Sequence, residues 1–412
     1  MFFNFGIFFK KQHLYFLFMT MKLNIFDSKS LASSNVNMNA SGRLVSLDAL
    51  RGFDMMWIIS GEIIVHALAK ATNAPGWNWM SDQLHHSVWN GFTFYDMIFP
   101  LFIFIAGISM PFSFGKQLDN KPASEQKKTK KKIYTSLIKR TLILIICGMV
   151  VNGLFKWQGY ENTRFASVLG RIALSCFFAA ILFLNTSLRS QLIWFAAILL
   201  GYWAIMMLIP VPGYGAGVLT PEGNLGAYVD RLFLPGKLHR IVYDPEGILS
   251  TIPAVATALL GVLTGQFLRL KSEKWTLPKK GIMLALAGVL CLMIGLLWNM
   301  VFPINKNMWT SSFVLFAGGW SLLLLSLFYF IIEVADLKKW ALPFIWIGTN
   351  SILIYMAAHG VINFEYTATY LFGGLINFTP LLWQPVWLGC GILIIQLALV
   401  YFLYKKKWFL KV

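Results

Sequence analysis

Residues 85–107, HHSVWNGFTFYDMIFPLFIFIAG, join a polar opening to an apolar run long enough to enter a bilayer. Two histidines, an Asn-Gly turn and Asp96 stand ahead of the run, so titratable groups sit at the rim of a hydrocarbon layer. Ionisable residues are expensive there and usually functional. The stretch therefore predicts a helical membrane protein with a site at the mouth of its second span.

Working outward, the 412 residues are 57% hydrophobic and only 13% charged, too few charges to wet a soluble surface. Bilayer-length windows place spans near 45–66, 95–115, 133–155, 166–186, 190–209, 249–268, 281–302, 311–334, 342–361 and 385–404. The expected fold class is all-α, a polytopic integral membrane protein of about ten helices. A net charge of +18 would suggest nucleic acid in a soluble domain, but here the cations gather in short loops. Lys121, Lys127, Lys128, Lys130 and Lys131, then Arg269, Lys271, Lys274, Lys279 and Lys280, then Lys338 and Lys339, and finally Lys405, Lys406 and Lys407 share one side if the count is ten. That positive-inside pattern argues against a nucleic-acid partner and predicts both termini in the cytoplasm of a multi-pass protein. Loops 67–94, 156–165, 210–248, 303–310 and 362–384 are then outside. Cys147, Cys176, Cys291 and Cys390 lie in apolar runs without metal-ligand spacing, so they read as core residues and no metal site is expected. Residues 1–42 read as an N-terminal interfacial and flexible segment, aromatic but broken at Lys10-Lys11-Gln12-His13, ahead of a transmembrane domain over 43–412.

Span one is unusually polar: Asp48, Arg51, Asp54, Glu62 and His66 fall within about 120° on a wheel of 100° per residue. Asp48 or Asp54 with Arg51 reads as a salt-bridge seam, whereas Glu62 and His66, nearer the outer end, lack a compensating base and read as functional. Asp96 suits a helix cap or a carboxylate that orients a histidine, and the two roles are compatible. Arg140 is close enough to the inner end to snorkel; Arg171, deeper in span four, calls for an anionic cofactor or an acid such as Glu62 or Asp54.

Several blocks in fixed order carry a resemblance. Ser-Leu-Asp-Ala-Leu-Arg-Gly (46–52), His-Ser-Val-Trp-Asn-Gly (86–91), Asp-Met-Ile-Phe-Pro-Leu-Phe-Ile-Phe-Ile-Ala-Gly (96–107) and Arg-Phe-Ala-Ser-Val-Leu-Gly-Arg (164–171) resemble the heparan-α-glucosaminide N-acetyltransferase family, as do blocks at 226–231, 243–252, 304–309 and 348–355. The resemblance implies a membrane acyltransferase that takes acetyl from cytoplasmic acetyl-CoA, the acyl donor, to an amino sugar on the far side, with a homodimer as a candidate assembly. The family's active histidine precedes its Trp-Asn-Gly element, which maps onto His86 and not His85. Where the animal enzymes have an Asn in span one, this chain has Glu62. With no large outer domain ahead of span one, a compact bacterial-type member of the inner membrane with a smaller acceptor is implied.

The residue types suit that chemistry. Acyl transfer to an amine needs a base and donors for the oxyanion. An imidazole, with an ordinary pKa near about 6.5, fits the base at His86, either in direct transfer or by carrying the acetyl group itself. Asp96 and Glu62 complete the expected catalytic set. Asn90, Asn305, Asn307 and Asn350 are neutral donors for a carbonyl or sugar hydroxyls, Trp89 and Trp309 offer flat faces, and Asp244, Glu246 and His66 suit an ammonium acceptor. Arg51, Arg140, Arg164 and Arg171 are the cations for the phosphates of CoA. An amino-sugar permease with an intramembrane Glu and His proton relay is the competing expectation, although no inverted repeat or paired broken helices are visible.

Overall fold

A computed structural model describes residues 44–119, 121–156 and 159–410. The segment 1–42, including His13, lies outside the described residues. Among those described, the regular structure is helical, with only isolated bridges and no strand. Nine helices among the described residues are long and apolar enough to cross a membrane: α1 (Val45–Thr72), α3 (Phe94–Leu118), α4 (Ser124–Val151), α5 (Val168–Asn185), α6 (Leu188–Leu208), α8 (Thr251–Arg269), α9 (Leu277–Asn299), α10 (Ser311–Val334) and α14 (Leu381–Lys405). A tenth span is a pair, α11 (Lys339–Thr349) and α12 (Ser351–Val361), bent by 67°. Three shorter helices ride on the connections: α2 (Pro75–Gln83), α7 (Leu225–Phe233) and α13 (Phe364–Asn377).

The spans expected from hydropathy are all present, and their departures have local causes. The lysine-rich stretch expected as a loop is helical from Ser124 onward, because lysine is a good helix former once solvated. The ninth span breaks at Asn350, whose side chain replaces helical partners with the C-terminal tail: its amide donates to Trp408 O at 3.1 Å and accepts from Leu410 N at 3.1 Å. Span one contains a π-helical segment, Trp57–Gly61. The wheel at 100° per residue therefore loses phase beyond Trp57.

The core is built on α3, α8 and α10, the spans with the largest buried shares, while α4, α6 and α9 present most of their surface outward. Small residues let the central backbones touch. A methyl added at Gly107 of α3 would strike the Ala258 carbonyl of α8, and one at Gly261 would strike the Phe104 carbonyl of α3. Gly52 and Gly348 do the same for α1 against α11, facing Phe344 and Asp48 carbonyls. Hydrocarbon offers no hydrophobic drive between helices, so this close packing supplies the attraction.

Gly261→Val is accordingly expected to destabilise the protein by about 1–3 kcal/mol or more, since backbone must move. Gly201→Val, on α6 with open space around it, serves as the control. Thermal unfolding in detergent decides the matter; equal melting temperatures for the two variants would disprove the close crossing.

Candidate active site

The loop between α2 and α3 and the start of α3 build the site from one carboxylate. Asp96 is the third residue of α3 and is fully buried. Its Oδ2 accepts from the Thr93 backbone N–H and hydroxyl, both at 3.2 Å, and from Ser87 N at 3.2 Å. Its Oδ1 faces His86 Nδ1 at 2.8 Å. The helix cap and the histidine support are thus the two oxygens of one side chain. A proton on Nδ1, donated to Asp96, leaves Nε2 as the basic nitrogen. The His86 side chain is about half exposed, at 51%, so a substrate has access to it.

The connection between α9 and α10 closes the other side. Gly91 N donates to Ile304 O at 2.9 Å, and the Gly91 φ of +118° is a conformation suited to glycine. Asn305 is fully buried, donating to Asn90 Oδ1 at 3.0 Å and accepting from Met308 N at 2.9 Å. Asn307 is half-buried on the same turn. That turn carries Lys306, which the sequence reading missed: its Nζ stands 3.0 and 3.1 Å from the two ring nitrogens of His86 and 3.5 Å from Asp96 Oδ1. Burial pulls the Lys306 ammonium below its ordinary pKa, against the opposing pull of Asp96. The available signal was a lone lysine in a loop on the side opposite the lysine clusters. Tyr95, the second residue of α3, places its ring 4.8 Å from His86, and its hydroxyl lies near Glu62.

A second polar cluster adjoins the first. Arg164 clasps Asp244 through Nε at 2.8 Å and Nη2 at 2.5 Å and also pairs with Glu246. Burial works against the Arg164 charge, but the two acids raise its pKa above the ordinary value. Asp244 is likewise pushed up by burial and held low by Arg164. Arg171 donates to Gly247 O at 3.1 Å and to Ser250 Oγ, so its partners come from this loop and not from Glu62 or Asp54. Its guanidinium stands 5.0 Å over the Trp309 ring. Trp309, expected to offer a flat face to a sugar, is 1% exposed and also packed on Phe99 and Phe313, which corrects that expectation: no ring face is open. Trp89 is half-buried, donating to Leu219 O at 2.9 Å with its ring 5.0 Å from Tyr243.

Other expected residues stand apart. His66 meets Ser81 at 2.7 Å and stacks on His85 at 4.3 Å. Asn350 holds the C-terminal tail, a structural use distinct from the acceptor contact expected of it. Arg51 pairs with Asp48 at 3.2 Å and donates to Ser109 at 2.9 Å. Arg140 borders a small cavity of about 20 Å³ between α3, α4 and α5. A second small cavity of about 40 Å³ lies between α1, α3, α5 and α12, and Ile172 borders both. Phe99, on the second cavity, abuts Trp309 beside the site. The four CoA-directed arginines thus divide: Arg51 is half-buried in the bundle and Arg140 is exposed on α4, while Arg164 and Arg171 engage the 244–250 loop.

One titration in this region is testable. Burial pushes the Asp230 carboxyl up to about 6, although Ile248 N donates to it at 2.9 Å. A folded-state value above the ordinary carboxylate value of about 3.9 means a stabilising contribution that is full at low pH and is lost as pH rises through about 6. Asp230→Asn should remove this decline. Parallel stability curves for variant and wild type from pH about 4 to about 7 would contradict the assignment.

Comparison with known proteins bears on the arrangement. Residues 44–405 match a family described as an acyltransferase domain. The chain is similar to heparan-alpha-glucosaminide N-acetyltransferase of Mus musculus, 28% identical over 384 residues, covering 79% of this chain and 56% of that protein. It is similar to the enzyme of the same name from Homo sapiens, 27% identical over 371 residues, covering 76% and 52%. The chain spans about half the length of the curated relatives it matches. With its membrane helices and its site inside the matched region, the protein belongs to the acyltransferase-domain family, as a multi-pass membrane member related to the heparan-alpha-glucosaminide N-acetyltransferases.

Proposed function

We propose that the protein transfers an acetyl group from cytoplasmic acetyl-CoA to an amino sugar or related saccharide on the outer side of the membrane, in the cytoplasmic membrane of its cell. The observation that carries the reading is the half-exposed His86, held by buried Asp96 at the start of α3. The sidedness follows the lysine-rich connections, which mark the cytoplasmic face.

In this reading Arg140 and Arg51 attract the phosphates of acetyl-CoA, and the thin pantetheine arm reaches outward to His86. His86 Nε2 takes a proton from the acceptor amine, while Asp96 fixes the tautomer and stabilises the imidazolium. Lys306 and the Asn90–Asn305 pair supply donors for the carbonyl oxygen as it becomes an oxyanion. Glu246 and Glu62 are the acids available to an ammonium group. Direct transfer uses these groups in one step, with both substrates held together.

Purified protein should move labelled acetyl from acetyl-CoA to glucosamine, and His86→Ala should lower kcat by about 10²- to 10⁴-fold. Full activity in that variant would remove His86 from the mechanism. Arg140→Ala should raise KM for acetyl-CoA by about tenfold with little change in kcat, the signature of lost uniform binding. An unchanged KM would detach Arg140 from the donor.

A further inference from the structure

Asp54 takes no part in the chemistry so far. It is 1% exposed, lies within α1, and neither carboxylate oxygen has a hydrogen-bond partner. One turn outward, Trp57 adds a second buried orphan, its indole Nε1. The π-helical segment begins there, and Glu62 N–H closes on the Trp57 carbonyl, so Glu62 lies one π-turn outward of Trp57. The Trp57 ring packs edge-on against Phe94 at 5.6 Å, beside Tyr95. Tyr95 in turn stands between Glu62 and His86, its ring 4.8 Å from the imidazole. Asp54, Trp57 and Glu62 thus make a column of polar groups along α1, from beside Tyr95 and His86 into the middle of the bundle. Farther inward the same helix carries the Arg51–Asp48 pair and then Ser46, which is bound to Glu333 through its N–H and hydroxyl, each at 3.0 Å.

Such a column is a poor structural device. An unpaired acid in a dry core is costly, and an apolar residue of similar size would pack there without that cost. Intramembrane acids with no structural partner mark proton and ion routes, and π-helical insertions recur at functional sites.

We propose that α1 carries the proton released by acyl transfer inward, with Asp54 as its intramembrane carrier. The inference rests on the acyl-transfer reading above. When an ammonium acceptor meets the thioester, a C–N bond forms and the C–S bond breaks. The nitrogen gives up two protons: one goes to the departing sulfur, which leaves as a thiol, and the other to His86. The column disposes of the second, from His86 by way of Tyr95 and Glu62 to Asp54 and on to the donor side. His86 is thereby returned to its basic form without depending on the outer pH.

Sealed vesicles test this directly. With the protein reconstituted, acetyl-CoA and a pH-sensitive dye are trapped in the lumen, and glucosamine is added outside at a pH where it is an ammonium ion. Labelled product and luminal acidification are read in the same sample. The expected result is about one luminal proton per acetyl group transferred, with transfer slowed about tenfold or more and luminal acidification lost in Asp54→Asn. Asp54→Glu should restore both. Wild-type transfer with all protons released outside overturns the proton route and leaves the acyltransferase reading intact, as does an Asp54→Asn variant with unchanged luminal counts. If Asp54→Asn does not fold, the wild-type proton count decides alone. Absence of labelled product in the wild type overturns the reading of function itself, and the route with it.

Discussion

Everything at the outer face of this protein depends on how Asp96 divides its two oxygens. Oδ2 terminates α3 by accepting from Thr93 and Ser87, and Oδ1 holds His86. The arrangement couples the rigidity of a buried transmembrane helix to the orientation of an exposed imidazole. Four unsatisfied N–H groups at a helix start are a fixed feature of helical backbone, so a carboxylate placed there is already anchored. The remaining oxygen is then a positioned acceptor, and the histidine inherits the helix's precision instead of the mobility of its own loop.

The rest of the bundle keeps that helix where it is. Gly107 and Gly261 bring α3 and α8 into backbone contact, and Trp309, buried against Phe99 of α3, joins the α9–α10 connection to the same core. Asn305 and Lys306 shortly precede Trp309 in sequence and reach the His86 loop. Arg171 covers the other face of Trp309 and ties it to Gly247 and Ser250. Gly247 is required here because a side chain would collide with the Asp230 carboxylate. Two charge clusters from distant parts of the chain thus share one aromatic support, and each is fixed by packing in the membrane core.

Much of this was legible in the chain itself. Length and apolarity of the runs determine ten spans, since unsatisfied backbone in hydrocarbon permits helices there and little else. The pairing of His86 with Asp96 follows from an acid at a helix start close after a histidine. The departures arise where a single side chain, or an inserted residue, outweighs periodicity. Asn350 bends the ninth span because it bonds backbone sixty residues later in the chain. The π-helical segment shifts the register of Glu62 and His66 relative to Asp48 and Asp54, and no hydropathy pattern encodes such an insertion.

The sequence by itself determined the class of fold and the spans, because these rest on local chemistry and on the constant thickness of a bilayer, and it set His86 close enough to Asp96 in the chain for the two to pair. Only the tertiary structure decided which charges meet. It brought Lys306 to His86, Arg164 to Asp244, and Arg171 to the Trp309 ring, and it buried a tryptophan that looked available to a ligand. Those contacts join residues far apart in the chain, and their partners are selected by which helices the glycine crossings allow to approach. A charge in a membrane must find a partner, but its neighbours along the chain do not say which one.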